Sequence, residues 1–78
     1  MGKYMRSVSV WERDAVKRTF TDVESAARFL LEGWPDVERT EIHGAARQAA
    51  LDAVTGAGFP ERFRAAFVAA AKEAGILA

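Results

Sequence analysis

The sequence of 78 residues predicts an α+β fold, an N-terminal two-stranded β-hairpin packed against three α-helices in the order ββααα, as a single small domain over residues 1–78. Three observations predict it. Ser7-Val8-Ser9-Val10-Trp11 alternates polar and apolar side chains at a period of two, the pattern of a half-buried strand. Apolar residues then recur at helical spacing in three later segments. Those segments are punctuated by residues that start or stop helices: Thr21, Thr40 and Pro60 at the beginnings, Gly33, Gly56 and Gly75 at the ends.

In the first strand Val8 and Val10 face the core and Trp11 faces away. Glu12-Arg13-Asp14 forms a polar turn, and Ala15-Val16-Lys17-Arg18-Thr19-Phe20 runs back with Val16 and Phe20 on one face. Arg18 falls between them on that same face, so a bulge or an edge position is expected. Two strands alone are marginal in water, which requires helices on one side of the hairpin.

Thr21-Asp22-Val23-Glu24 reads as a capping box, with Thr21 at the cap and Glu24 reaching back. The first helix buries Val23, Ala27, Leu30 and Trp34, which leaves Phe29 on the flank; Gly33 and Pro35 stop it. Asp36-Val37-Glu38-Arg39 is a polar link. The second helix runs from a Thr40 cap to about Thr55, buries Ile42, Ala45, Ala46, Ala49 and Ala53, and turns Leu51 to the far side. Gly56-Ala57-Gly58-Phe59 leads to the third helix, opened by Pro60 and Glu61, with Phe63, Ala66, Phe67, Ala70 and Ala74 inward. Ile76-Leu77-Ala78 is a short apolar tail, and whether it adds a third strand is left open. Sixteen alanines favour helix and let helices approach closely, with the large aromatics plugging the gaps.

Composition excludes several kinds of chemistry. With no Cys there is no disulfide, no thiolate nucleophile and no Cys-ligated zinc, and the single His43 cannot build a His-rich metal site. No cofactor motif or catalytic triad is visible, so no cofactor and no enzymatic activity are expected. There is no signal-peptide pattern, and the strongest apolar run, Ala65 to Ala71, is far below the ~20 residues of a membrane span. The expectation is a cytoplasmic protein with no membrane contact. Net charge is zero, yet residues 1–21 carry +3 and residues 22–41 carry −4. Either the two segments neutralise each other, or the basic one receives an acidic partner.

The residues also resemble a known family. The valine-alternating strand pair is followed by Ala26 with Phe29-Leu30, by Trp34-Pro35, and by an Ala-rich helix with Leu51-Asp52-Ala53 and Gly56. The chain closes on Arg64-Ala65-Ala66-Phe67 and Ala70-Ala71-Lys72-Glu73-Ala74-Gly75-Ile76. From about Val8 to Leu77 this resembles the bacterial domain-of-unknown-function family 982. The resemblance implies a small ββααα protein from soil or plant-associated bacteria and implies no activity. Family members often carry an aromatic where His43 stands and a Cys where Ala50 stands, so any role of that thiol is closed to this chain.

Each candidate residue has a plain structural reading beside a functional one. His43 is the only imidazole available as a general base, but no nucleophile is placed beside it, and local packing is the simpler role. Trp34 closes the core between helices or stacks on a ligand. Trp11, beside Arg13 and Lys17, either packs or stacks on a base or partner side chain. Arg64 pairs with a carboxylate, with Asp52 as candidate, or caps a carbonyl. Gly56-Ala57-Gly58 lacks the Lys-Ser/Thr of a phosphate loop, and Asp36 and Glu38 sit solvated in a link. The reading is a non-enzymatic protein-interaction or regulatory module. Its candidate surface is Trp11, Phe29 and Leu51, and its partner is another protein or a second copy of the chain. The alternative is nucleic-acid binding through Arg6, Trp11, Arg13, Lys17 and Arg18, which zero net charge disfavours. A small-ligand site at His43 and Arg64 ranks third.

Overall fold

The computed structural model describes residues 3–13, 15–35 and 40–78. The expected turn residue Asp14, the polar link Asp36-Val37-Glu38-Arg39, the first two residues and the side chain of Arg13 lie outside the described residues. Strand β1 (Tyr4–Arg13) pairs antiparallel with β2 (Val16–Asp22), setting Val8 opposite Phe20 and Val10 opposite Arg18. Both strands extend beyond the alternating stretch. Register shifts between Tyr4 and Val8 and between Trp11 and Arg13 break the period of two near each end. Ala15 turns the chain at φ 60°, a conformation that costs a residue with a Cβ about 1–2 kcal/mol.

The inner face of the hairpin holds Val8, Val10 and Phe20, all buried. Val16 does not join them: it pairs with Arg13 at the turn, past the register shift, and is exposed. Arg18 does lie on the inner face. Its guanidinium sits 5.1 Å from the Phe20 ring centre and 5.7 Å from that of Phe29, and donates to Glu12 at 3.0 Å. The charged head itself lies over the two rings, a cation–π arrangement, while Arg18 as a whole stays exposed.

The hairpin runs directly into helix α1 (Val23–Arg28). The cap is Asp22, whose Oδ2 accepts the Ser25 amide at 2.9 Å, one residue later than the expected Thr21. Thr21 is still paired strand, and a carboxylate suits the positive helix end. A π-helical turn, Phe29–Gly33, extends α1. Val23, Ala27, Leu30 and Trp34 are buried as the spacing predicts. Phe29 is buried as well, against expectation, because the hairpin covers its flank: its ring lies 5.3 Å from Phe20 and 5.7 Å from Trp34.

Helix α2 (Glu41–Thr55) starts at Thr40, whose hydroxyl accepts the His43 amide and donates to Glu73. It stops at Gly56, whose φ of 90° only glycine adopts freely. Its buried face is His43, Ala46, Ala50 and Ala53. Ile42 and Ala45, expected inside, are exposed, and Ala49 is half-buried. The helix is turned so that the His43 ring packs 5.4 Å from Trp34. Helix α3 (Pro60–Ala74) buries Phe63, Phe67, Ala70 and Ala71. Phe67 is the hub of the core, with ring centres 5.8 Å from Phe20, 5.7 Å from Trp34 and 5.8 Å from Phe63.

The C-terminal tail closes the free edge of β1. Leu77 bridges Val10, the Trp11 amide donates to the Ile76 carbonyl at 2.7 Å, and the Ala78 amide donates to the Ser9 carbonyl at 3.0 Å. Strand β1 therefore lies between β2 and the tail.

Candidate interaction groove

The first two helices meet through small residues, and their larger side chains stand apart on the outside. The result is an open groove of about 460 Å³. Ala27, Gly44 and Ala50 form its floor, Leu31, Leu51 and Val54 its walls, and Arg47 and Gln48 its polar rim. The wall residues are 56%, 56% and 53% exposed. Gln48 is held by Asp52 at 3.0 Å, whereas Arg47 is exposed and forms no ion pair among the described residues. Water over three large apolar side chains is unfavourable, and burying the half of each that is exposed is worth about 1–1.5 kcal/mol. The walls therefore favour an apolar occupant.

The residues expected to form a partner surface do not form one patch. Leu51 is a groove wall. Phe29 is locked in the core at 4% exposure and is lost from the surface. Trp11 is 42% exposed on the hairpin opposite Lys17 and does not line the groove. Leu31 and Val54 take the places the sequence reading gave to Phe29 and Trp11. Their signal was that they are large apolar residues belonging to neither core stripe, like Leu51.

The other candidates have structural duties. His43 is 3% exposed and packs on Trp34 behind the groove, so it does not present a base to solvent. Arg64 does not pair with Asp52. Its Nε donates to the Arg6 carbonyl at 3.0 Å and its Nη2 to the Ser7 carbonyl at 2.9 Å, which clamps α3 to β1 within the register shift between Tyr4 and Val8. The Ala57 and Gly58 amides donate to the Asp52 carbonyl at 2.8 and 2.9 Å and close the end of α2, so they are not aimed at an anion.

On the hairpin, two cations have acidic neighbours. Arg6 meets Glu61 at 2.8 Å and Arg18 meets Glu12 at 3.0 Å. The hydrogen bond from Arg6 holds the Glu61 carboxyl below its usual value, and the same bond raises Arg6. A second hollow, of about 260 Å³, has mixed charge, with Arg18, Arg28 and Glu32 in its lining. Among the described residues no three acidic, His or Cys side chains gather as a metal site, and no helix is long and apolar enough to cross a membrane.

A family model described as "Protein of unknown function (DUF982)" matches residues 6–78. No curated protein and no solved structure gives a significant match to the chain.

Proposed function

Because the chain belongs to the DUF982 family, whose description assigns no activity, we propose its function from geometry: a non-enzymatic protein-interaction module that docks a partner helix in the groove between α1 and α2. The observation that carries this is the cluster of Leu31, Leu51 and Val54, each more than half exposed, around a floor of Ala27, Gly44 and Ala50. Contiguous exposed apolar side chains with a polar rim are the common form of a partner site, and a trough of this shape suits the apolar face of an amphipathic helix. The partner is a protein rather than a nucleic acid. Among the described residues the groove lining holds one cation, Arg47, and the Arg6 and Arg18 charges of the hairpin are already opposed by acids. Association is then driven by apolar burial and tolerates salt, unlike phosphate binding.

A photo-crosslinking side chain at Leu51, compared with one at exposed Lys72 on α3, tests the reading in the native cell. A protein adduct from position 51, absent from position 72 and lost on Leu31→Glu, is the expected result. No protein adduct from position 51 overturns the proposal. So does oligonucleotide binding tighter than about 1 µM at ~0.15 M salt that is lost on Lys17→Glu.

A further inference from the structure

We propose that the occupant of the groove is a second copy of this chain, laid antiparallel across it about a twofold axis. The inference rests on the groove being a protein-docking site and names the partner. Gly44 is the first observation. It stands inside α2 with ordinary helical backbone, where Ala would hold the helix better. A Cβ built on it would meet nothing within 4 Å. Among the described residues no neighbour requires a glycine there, and Gly44 lines the groove. A close approach from outside is what the missing Cβ accommodates.

Charge is the second observation. The Trp34 ring lies 5.4 Å from His43, so the end of the first helix sits beside the start of α2, while Ala27, earlier in the first helix, lines the groove with Ala50, Leu51 and Val54, later in α2; the geometry points to an antiparallel pair. In an antiparallel pair Arg47, in the first half of α2, falls toward the Leu31 end of the groove. Glu24 continues the α1 stripe of Ala27 and Leu31 at spacing i, i+3, i+7, at the Val54 end. Both are exposed, and neither has an ion-pair partner among the described residues. A twofold axis across the helices exchanges the ends. Glu24 of each copy then faces Arg47 of the other, and Leu51 and Val54 of each come over Gly44 of the other. Such self-matching is the requirement for an isologous dimer.

Area sets the strength. A standard interface takes about 800 Å² from each partner, and the whole chain exposes 5006 Å². Helix α2, at 15 residues, is about 22 Å long, and two helices side by side are roughly 20 Å across, a face of about 440 Å² in projection. That is below standard size, so the dimer is weak and reversible, and it is sought at chain concentrations of roughly 10–500 µM.

Sedimentation equilibrium of the full chain across that range tests the proposal. Wild type should associate reversibly. Arg47→Glu and Glu24→Arg should each lose self-association about tenfold or more, because each homodimer then sets like charges together twice. An equimolar mixture of the two variants should associate again, since both contacts become opposite in sign. Gly44→Ala should raise Tm while weakening association. A strictly monomeric wild type, a mixture that fails to associate, or a Gly44→Ala chain that gains Tm with undiminished association refutes the second copy. A monomeric wild type that still crosslinks a foreign protein from position 51 sinks this inference and leaves the docking groove standing.

Discussion

Replacing Trp34 by Ala removes the side chain that joins the two helices of the groove to the rest of the core. Trp34 is 8% exposed and meets three rings, with centres at 5.7 Å to Phe29, 5.7 Å to Phe67 and 5.4 Å to His43. Truncating a buried Trp to Ala costs about 3–5 kcal/mol, which includes the transfer of the ring and the cavity left behind. Edge-to-face contacts are worth about 0.5–1.5 kcal/mol each, and losing three of them places Trp34→Ala in the upper half of that range. A chain of 78 residues has roughly 4–12 kcal/mol of stability at ~0.05–0.15 kcal/mol per residue. The variant therefore loses at least about a third of its stability, and all of it if the chain lies at the low end of that range. If folded, its Tm falls by at least about 12 °C, since 1 kcal/mol shifts a domain of this size by ~4–8 °C. Urea unfolding followed by far-UV circular dichroism measures the loss. Trp34→Phe keeps a ring against Phe29 and Phe67 and should lose only about 1–2 kcal/mol. Trp11→Phe, on the exposed hairpin face, should lose less than ~0.5 kcal/mol and leaves Trp34 as the single fluorescent reporter. A Trp34→Ala chain within about 1 kcal/mol of wild type refutes the reasoning and makes Trp34 a surface residue open to ligands.

Asp22→Ala should destabilise the chain by about 1 kcal/mol and Thr21→Ala by less than ~0.5 kcal/mol in denaturant titrations; the reverse order would return the cap to Thr21. Arg64→Ala should cost about 1–2 kcal/mol and speed amide exchange in β1, and Arg64→Lys should recover little because a single ammonium lacks the fork that spans two carbonyls. Unchanged exchange in β1 contradicts the clamp. Glu61, with its folded pKa lowered by Arg6, contributes stability above its unfolded pKa, and that contribution is lost as pH falls through the folded pKa. Its NMR titration midpoint should lie below that of an ordinary glutamate and return toward it at ~0.5 M salt, since the pair is exposed. A midpoint at or above the ordinary value refutes the pairing.

The candidate site was partly legible in the sequence. Leu51 could be read as a far-side residue because Gly56 and Thr40 bound α2 and the apolar spacing leaves Leu51 off the inner stripe. Leu31 was hidden beside Leu30, and Phe29 looked equally free. Only the placement of the hairpin distinguishes them, because Phe20 and Arg18 cover Phe29 and nothing comparable covers Leu31. Gly44 gave no turn signal and acquires meaning only once the space around its α-carbon is known.

By itself the sequence determined the elements and their order. Val8 and Val10 alternate into β1, Thr40 and Gly56 bound α2, and Pro60 and Gly75 bound α3. These rest on backbone preferences and capping bonds made within a few residues, which no distant contact is needed to complete. The tertiary structure decided how the elements are turned. Alanines at 45, 46, 49, 50 and 53 offer a small apolar surface around much of α2, so its burial energy changes little with rotation. The large rings break that near-degeneracy: with His43 against Trp34, and Trp34 against Phe29 and Phe67, the helix turns Ala46, Ala50 and Ala53 inward and leaves Ile42 outside. Likewise Arg64 found the Arg6 and Ser7 carbonyls, and Leu77 found Val10, through contacts between residues more than 50 positions apart, which no local pattern encodes.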